Sequence, residues 1–249
     1  MIVGMEQAGQ EAWVEGEPFA SLDAGMSWSA DVFARLASEL HNSEGVEETV
    51  EAVVQFALQA LNCSHAGVAL STRGGRPEVP AATDPIVAEI YHWQMVGGDG
   101  PLVQSMREHA TLIVRDTQTE PRWPDWAAKV LSLGVRSVLD VPLSTAAGTV
   151  GVLGLYSATP DAFNTDDEAI AHILARHASI AVATARNEET LSQAVDARKL
   201  VGQAMGILME RYDVDGDQAF AILKRYSQDT NTKLRDVAQH LIDTRRLPR

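Results

Sequence analysis

The 249-residue chain has one cysteine, Cys63, so it can form no internal disulfide and fits a reducing compartment. It has no run of about 18 uninterrupted apolar residues, which leaves no segment for a bilayer-spanning helix. The opening residues, Met1 to Glu6, lack the basic start and apolar stretch of a secretion signal, so a cytoplasmic protein without membrane contact is expected. Catalytic signatures are missing too. There is no Gly-x-Ser-x-Gly, no phosphate loop ending in Gly-Lys-Ser/Thr and no His-Glu-x-x-His, and no enzymatic activity is expected. His65, His92 and His109 lack ligand spacing, and His172 and His177, five apart, do not share a helix face, so no metal is expected.

Positive charge is scarce over most of the length. Residues 1–197 carry 10 Lys and Arg against 27 Asp and Glu, whereas residues 198–249 carry 10 against 7. The acidic body repels nucleic acid at long range, which leaves the tail as the place where a polyanion can bind.

Residues 1–26 are acidic, rich in Gly, Glu and Gln and without period, and are expected to form a disordered leader. Apolar residues at helical spacing predict helices over Trp28–Leu40 and Val46–Leu61. The run Ala66–Leu70 reads as a buried strand ending at the turn residues 73–77, and Thr111–Arg115 reads as another. Gly97–Pro101 breaks the chain and starts a short helix, with Pro101 suited to the first helical position. Ser137–Leu143 and Thr149–Tyr156 flank Ser144–Gly148 as a hairpin. Thr165 with Glu168 reads as a capping box, and the pattern then runs without proline to Tyr212, either as one rod or as two helices meeting near Asn187–Gln193. Ile170, Ile173, Leu174, His177, Ile180, Ala181, Thr184 and Leu191 lie near heptad spacing. That fits a parallel dimer seam or a helix packed on its own sheet. The fold class is α+β: an antiparallel sheet with flanking helices, a long connecting helix and a C-terminal all-α three-helix unit.

The segments 133–143, 148–157 and 163–168 resemble a GAF domain over roughly residues 28–187. The resemblance implies a small-molecule sensor, with no cofactor named beyond an unidentified ligand. Phe163, Asp167 and Glu168 match half of the cyclic-nucleotide signature, but a helix cap explains the two acids without a ligand. Cys63 is a thiol sensor, a bilin attachment point or an inert thiol beside a strand, the last reading being favoured. Trp93, Trp123 and Trp126 either line a pocket or pack in the core or a lid.

The tail reads as three short amphipathic helices. On the second, Leu223 and Ala219 fall on one side, while Lys224, Gln228 and Arg225 fall on the other. Asp215 to Gln218 signals its start, and Asn231 or Thr232 is expected to cap the third helix. In the first, Leu200, Val201, Ala204, Ile207 and Leu208 form an apolar face with Gly206 at its edge. Gln203-Ala204, Gly206–Met209, Ala219-Phe220, Leu223–Arg225, Ser227-Gln228, Asn231, Lys233-Leu234 and Val237-Ala238 together resemble an ANTAR domain, the RNA-binding module of bacterial transcription antiterminators. That resemblance implies a homodimer gripping paired RNA stem-loops, with Gln203, Met205, Gly206, Lys224, Arg225, Ser227, Gln228, Asn231 and Lys233 as RNA-contact residues. Many members carry a basic residue where this chain has Met205. The expected organisation is a leader over 1–26, a GAF-like sensor over 27–187 and an ANTAR-like unit over 188–249. The alternative is a protein-interaction or DNA-binding regulatory module with a ligand-free GAF domain.

Overall fold

A computed structural model describes residues 34–72 and 77–247. The leader, the start of the first expected helix and most of the turn at 73–77 lie outside the described residues. In chain order the elements are a helix over residues 34–42 (α1), α2 (Gly45–Ala60), β1 (His65–Leu70), β2 (Glu78–Ala82), α3 (Pro85–Gly97), α4 (Pro101–Glu108), β3 (Leu112–Val114), α5 (Pro124–Ser132), β4 (Ser137–Thr145), β5 (Gly148–Ser157), α6 (Thr165–Tyr212), α7 (Gly216–Asp229) and α8 (Leu234–Thr244).

The five strands form one antiparallel sheet in the order β2-β1-β5-β4-β3. Side chains alternate across the pleat, so each central strand feeds two cores. Leu139, Val141, Leu153 and Leu155 face α2 and α6, together with Val50, Val53, Val54, Leu174 and Val182. Val138, Val152 and Tyr156 face α3, α4 and α5, with Ile90, Tyr91, Leu102, Trp126 and Val130. Helices on both faces explain why β5 is buried from Gly151 to Ser157 and reads as a continuous apolar run. Pro80 sits in edge strand β2. Pro142 sits in β4 beyond the last β3 pair, Leu112–Asp140, so neither proline removes a hydrogen bond that a neighbour needs.

α6 is one unbroken helix of 48 residues. The expected cap at Thr165 is corrected by one position. Asn164 caps the helix, its side-chain oxygen accepting the Asp166 and Asp167 N–H groups at 2.7 and 3.1 Å, and Asp167 accepts the Asn164 N–H at 3.0 Å. Asparagine at this position offers the same acceptor as threonine and places the acids one step further into the positive end of the helix. The first half of α6 buries Ala171, Leu174, Ala175, Ala178 and Val182 in the sensor core, and its end buries Ala204 and Leu208 in a separate cluster. Between them, residues 187–196 are all exposed.

The sensor grips the helix where that exposed stretch begins. Glu189 Oε1 accepts the Val46 N–H at 2.9 Å, satisfying an orphan donor at the start of α2, and Arg186 Nη2 donates to the Ser71 carbonyl at 2.9 Å. The second cluster joins Ala204 and Leu208 of α6 to Ala219 and Leu223 of α7 and to Val237, Ala238 and Leu241 of α8. Only seven side chains are fully committed to this small core, so each matters. Leu223→Ala is expected to cost about 2–5 kcal/mol and to melt the helical trio ahead of the sheet domain. Denaturant unfolding followed by helix signal checks this through the appearance of an early transition.

Candidate functional site

α7 is started by Asp215, whose carboxylate accepts the Gln218 N–H at 2.8 Å while the Gln218 side chain accepts the Asp215 N–H at 3.2 Å. This reciprocal cap sets the helix phase. Ala219 and Leu223 turn into the core, and Lys224, Arg225 and Gln228 turn out to solvent. Arg225 is 82% exposed and lies 3.6 Å from Asp229, an i,i+4 pair weak enough to release. Among the described residues Lys224 has no ion pair.

The turn into α8 is built on Asn231 in the left-handed region (φ 49°), which asparagine tolerates. The Ser227 hydroxyl donates to the Thr232 carbonyl at 2.7 Å, and the Thr232 N–H donates to the Ser227 carbonyl at 3.0 Å. Ser227 thus holds the turn, and Asn231 and Lys233 stay exposed at its tip. The expected cap on α8 needs correcting. Lys233 is the N-cap residue and no side chain caps the helix, because the Thr232 hydroxyl is turned back to the Thr230 carbonyl.

On α6, Gln203 and Gly206 are exposed and line a cleft of about 800 Å³ with Ile207, Glu210, Arg211, Ile242 and Arg245. A side chain at Gly206 would meet nothing within 4 Å, so this glycine opens a surface rather than admitting a close helix contact. Met205 is half-buried and reaches toward the start of α7, its Cε 3.7 Å from where a Cβ on Gly216 would stand. The nine residues expected to touch RNA therefore divide. Five share the α7 face and the tip of its turn, two floor the cleft between α6 and α8, and Met205 and Ser227 support the fold. Arg211 and Arg245 of the cleft were not singled out from sequence. Arg211 donates to the Arg245 carbonyl, and only the tertiary approach of α8 to α6 brings them together.

The sensor half holds a second group of polar side chains, buried on the sheet face under α3 and α4. Asp140 is fully buried and neither carboxylate oxygen has a partner among the described residues; Gln94 Nε2, Ser105 Oγ and the Tyr156 hydroxyl are likewise unpaired. Tyr91 donates to the Gly67 carbonyl at 2.8 Å. A Cβ on Gly154 would lie 2.5 Å from the Tyr91 hydroxyl, 2.7 Å from the Tyr156 hydroxyl and 2.8 Å from Asp140 Oδ1, so three polar atoms converge over a glycine that no larger residue can replace. Burial pushes the Asp140 carboxyl up to about 8, and burial also raises both tyrosines.

Two family matches divide the chain: the GAF domain over residues 43–183 and the ANTAR domain over residues 189–242. The chain belongs to the GAF domain family and ends in an ANTAR domain. Solved structures agree on the fold of the first part. The GAF domain of a phosphoenolpyruvate-protein phosphotransferase from Coxiella burnetii is 16% identical, with a TM-score of 0.53, covering 67% of this chain and 99% of that one. The corresponding domain from Acinetobacter is 16% identical, with a TM-score of 0.52 and coverage of 66% and 98%. The photosensory core module of a Stigmatella aurantiaca phytochrome is 14% identical, with a TM-score of 0.55 over 82% of this chain and 45% of that one. No curated protein matches the chain.

A GAF sensor joined to an ANTAR RNA-binding domain makes this a signal-regulated RNA-binding regulator. Within the GAF domain, Phe163 is buried in the α6 core and Asp167 is committed to the helix cap, while Glu168 lies 3.8 Å from His172, so the half-signature serves the start of α6. Burial pushes the Cys63 thiol up to about 11, which leaves little nucleophilic thiolate.

Asp140 adds a pH term to stability. Its unfolded carboxyl ionises near pH 4 while the folded one stays protonated to about 8, so its contribution is full below pH 4 and is lost as pH rises across that window. Asp140→Asn is expected to flatten that decline and to raise the melting temperature more at pH 7.5 than at pH 4.5. Parallel thermal scans of both proteins at the two values check it, and equal shifts would contradict it.

Proposed function

We propose that this regulator is a transcription antiterminator that works as a homodimer, its two ANTAR units gripping paired stem-loops of a nascent transcript under control of a ligand on the GAF domain. The observation that carries the reading is the α7 face. Lys224, Arg225 and Gln228, with Asn231 and Lys233 at the adjoining tip, are exposed cationic and amide groups on an otherwise acidic chain. Such groups suit the splayed bases and phosphates of RNA loops. Gln203 and Gly206, floor of the neighbouring cleft, extend the surface.

A second copy is supported by the outer line of α6. Ile173, Ile180, Leu191, Val195 and Met209 are 46, 60, 67, 57 and 40% exposed. At about 100° per residue they fall within about 40° of one line along the helix. An exposed apolar stripe running through both domains fits a parallel partner helix.

Two outcomes are expected. Lys224→Ala combined with Arg225→Ala should keep the fold and weaken binding to a pool of tandem-hairpin RNAs about tenfold, with a shallower salt dependence. Filter binding across a salt series measures both, and unchanged affinity removes the pair from the interface. A one-residue insertion after Ser192 turns everything downstream by about 100° and takes Val195 and Met209 off the stripe. Affinity for tandem hairpins should then fall to that for a single hairpin, without loss of thermal stability. Retained tandem affinity would argue against a dimer locked in register.

A further inference from the structure

Three of the chain's five tryptophans meet at one place on the GAF domain. Trp93 near the end of α3 and Trp123 and Trp126 at the start of α5 wall a hollow of about 210 Å³, with Asp99, Asp125 and Lys129 around it. Trp123 and Trp126 are 4% and 6% exposed and pack edge to face, centroids 6.0 Å apart at 80°, so the walls are rigid. Trp126 Nε1 is buried without a hydrogen-bond partner.

The rings already hold cations. Lys129 Nζ stands 5.5 Å from the Trp93 centroid, and the Arg122 guanidinium carbon stands 4.4 Å over Trp123. Among the described residues Lys129 forms no ion pair with either neighbouring carboxylate. Asp99 accepts the Gly100 N–H at 2.9 Å. The hollow therefore combines indole walls with two carboxylates against one ammonium.

We propose that this tryptophan hollow is a binding site for a small quaternary ammonium compound, the ligand class of the GAF sensor. This rests on the ligand-controlled reading above. Aromatic faces attract organic cations most when the cation gives up little water, and a quaternary ammonium has no N–H to desolvate. The Lys129 ammonium is compact and strongly hydrated, so its place over Trp93 is weakly held and the incoming cation takes it. The volume is below the usual 300–1,000 Å³ of drug-sized pockets and suits a trimethylammonium group with a short tail. The site also adjoins the buried polar layer of the sensor. Trp93 lies between Tyr91, whose hydroxyl enters the buried cluster at Asp140, and Gln94, whose Oε1 accepts the Leu102 N–H at 2.8 Å at the start of α4.

The test uses the full chain, with choline as probe and its neutral carbon isostere, 3,3-dimethylbutanol, as control. Tryptophan fluorescence and calorimetry should show saturable choline binding, about tenfold weaker for the isostere, a loss of the size that cation–π contact supplies. Trp93→Leu should lose about the same factor with an unchanged melting temperature, and Lys129→Met, which removes the internal competitor, should bind choline more tightly. Equal binding of choline and isostere, wild-type affinity in Trp93→Leu, or no saturable binding in either wild type or Lys129→Met would overturn the site. Choline binding that leaves tandem-hairpin RNA affinity unchanged would support the site and count against ligand control of the RNA-binding unit.

Discussion

Everything in this molecule hangs on the continuity of α6. Its first half supplies one wall of the sensor core, its end supplies one third of the RNA-binding trio, and the residues between are solvated. A helix with a solvent-exposed middle survives because both ends are anchored by burial and its start is capped by Asn164 and Asp167. The sensor and the RNA-binding unit therefore share backbone, and the Glu189 and Arg186 contacts mark the last point where the sensor holds the rod. The backbone between the sheet domain and the trio is helical throughout, with no loop interposed.

The sensor itself combines two kinds of interior. The face toward α2 and α6 is dominated by apolar side chains, and its buried Thr49 and Ser179 hydroxyls donate to carbonyls of their own helices, which suits a structural mount. The face toward α3 and α4 contains a buried acid and hydroxyls without partners, a costly arrangement that stable domains avoid unless something else compensates. Such groups make this layer the less stable of the two, and elements that respond to ligands are drawn from that end of the stability range. The tryptophan hollow lies at the outer rim of the same layer, where α3 and α5 meet.

Much of this was readable from residue order, for physical reasons. The helical stripes of α2, α7 and α8, the β4–β5 hairpin and the start of α4 at Pro101 follow from local periodicity and turn chemistry, which need no tertiary information. The ANTAR pattern was legible because core positions and exposed cations alternate at fixed offsets. β2, α3 and α5 were not read. β2 is five residues with a proline at a sheet edge, and α3 and α5 each begin with a proline in a stretch rich in turn residues. The cap of α6 was misplaced by one residue because adjacent polar residues can each serve and only the backbone path selects one, whereas α8 has no side-chain cap because the Thr232 hydroxyl turns to the Thr230 carbonyl.

Sequence by itself determined the acidic body, the basic tail, the alternation of strands and helices and the cationic side of α7, since each depends on composition or on spacing within one element. Tertiary structure decided the rest. It resolved one rod from two helices, put Leu174 inside and Ile173 and Ile180 outside on adjoining faces of the same turns, and turned Met205 inward. It also gathered Asp140, Tyr91 and Tyr156 over Gly154 and brought Arg211 to Arg245. These outcomes rest on contacts between residues far apart in the chain, and no local period encodes which distant surface will cover a given side chain.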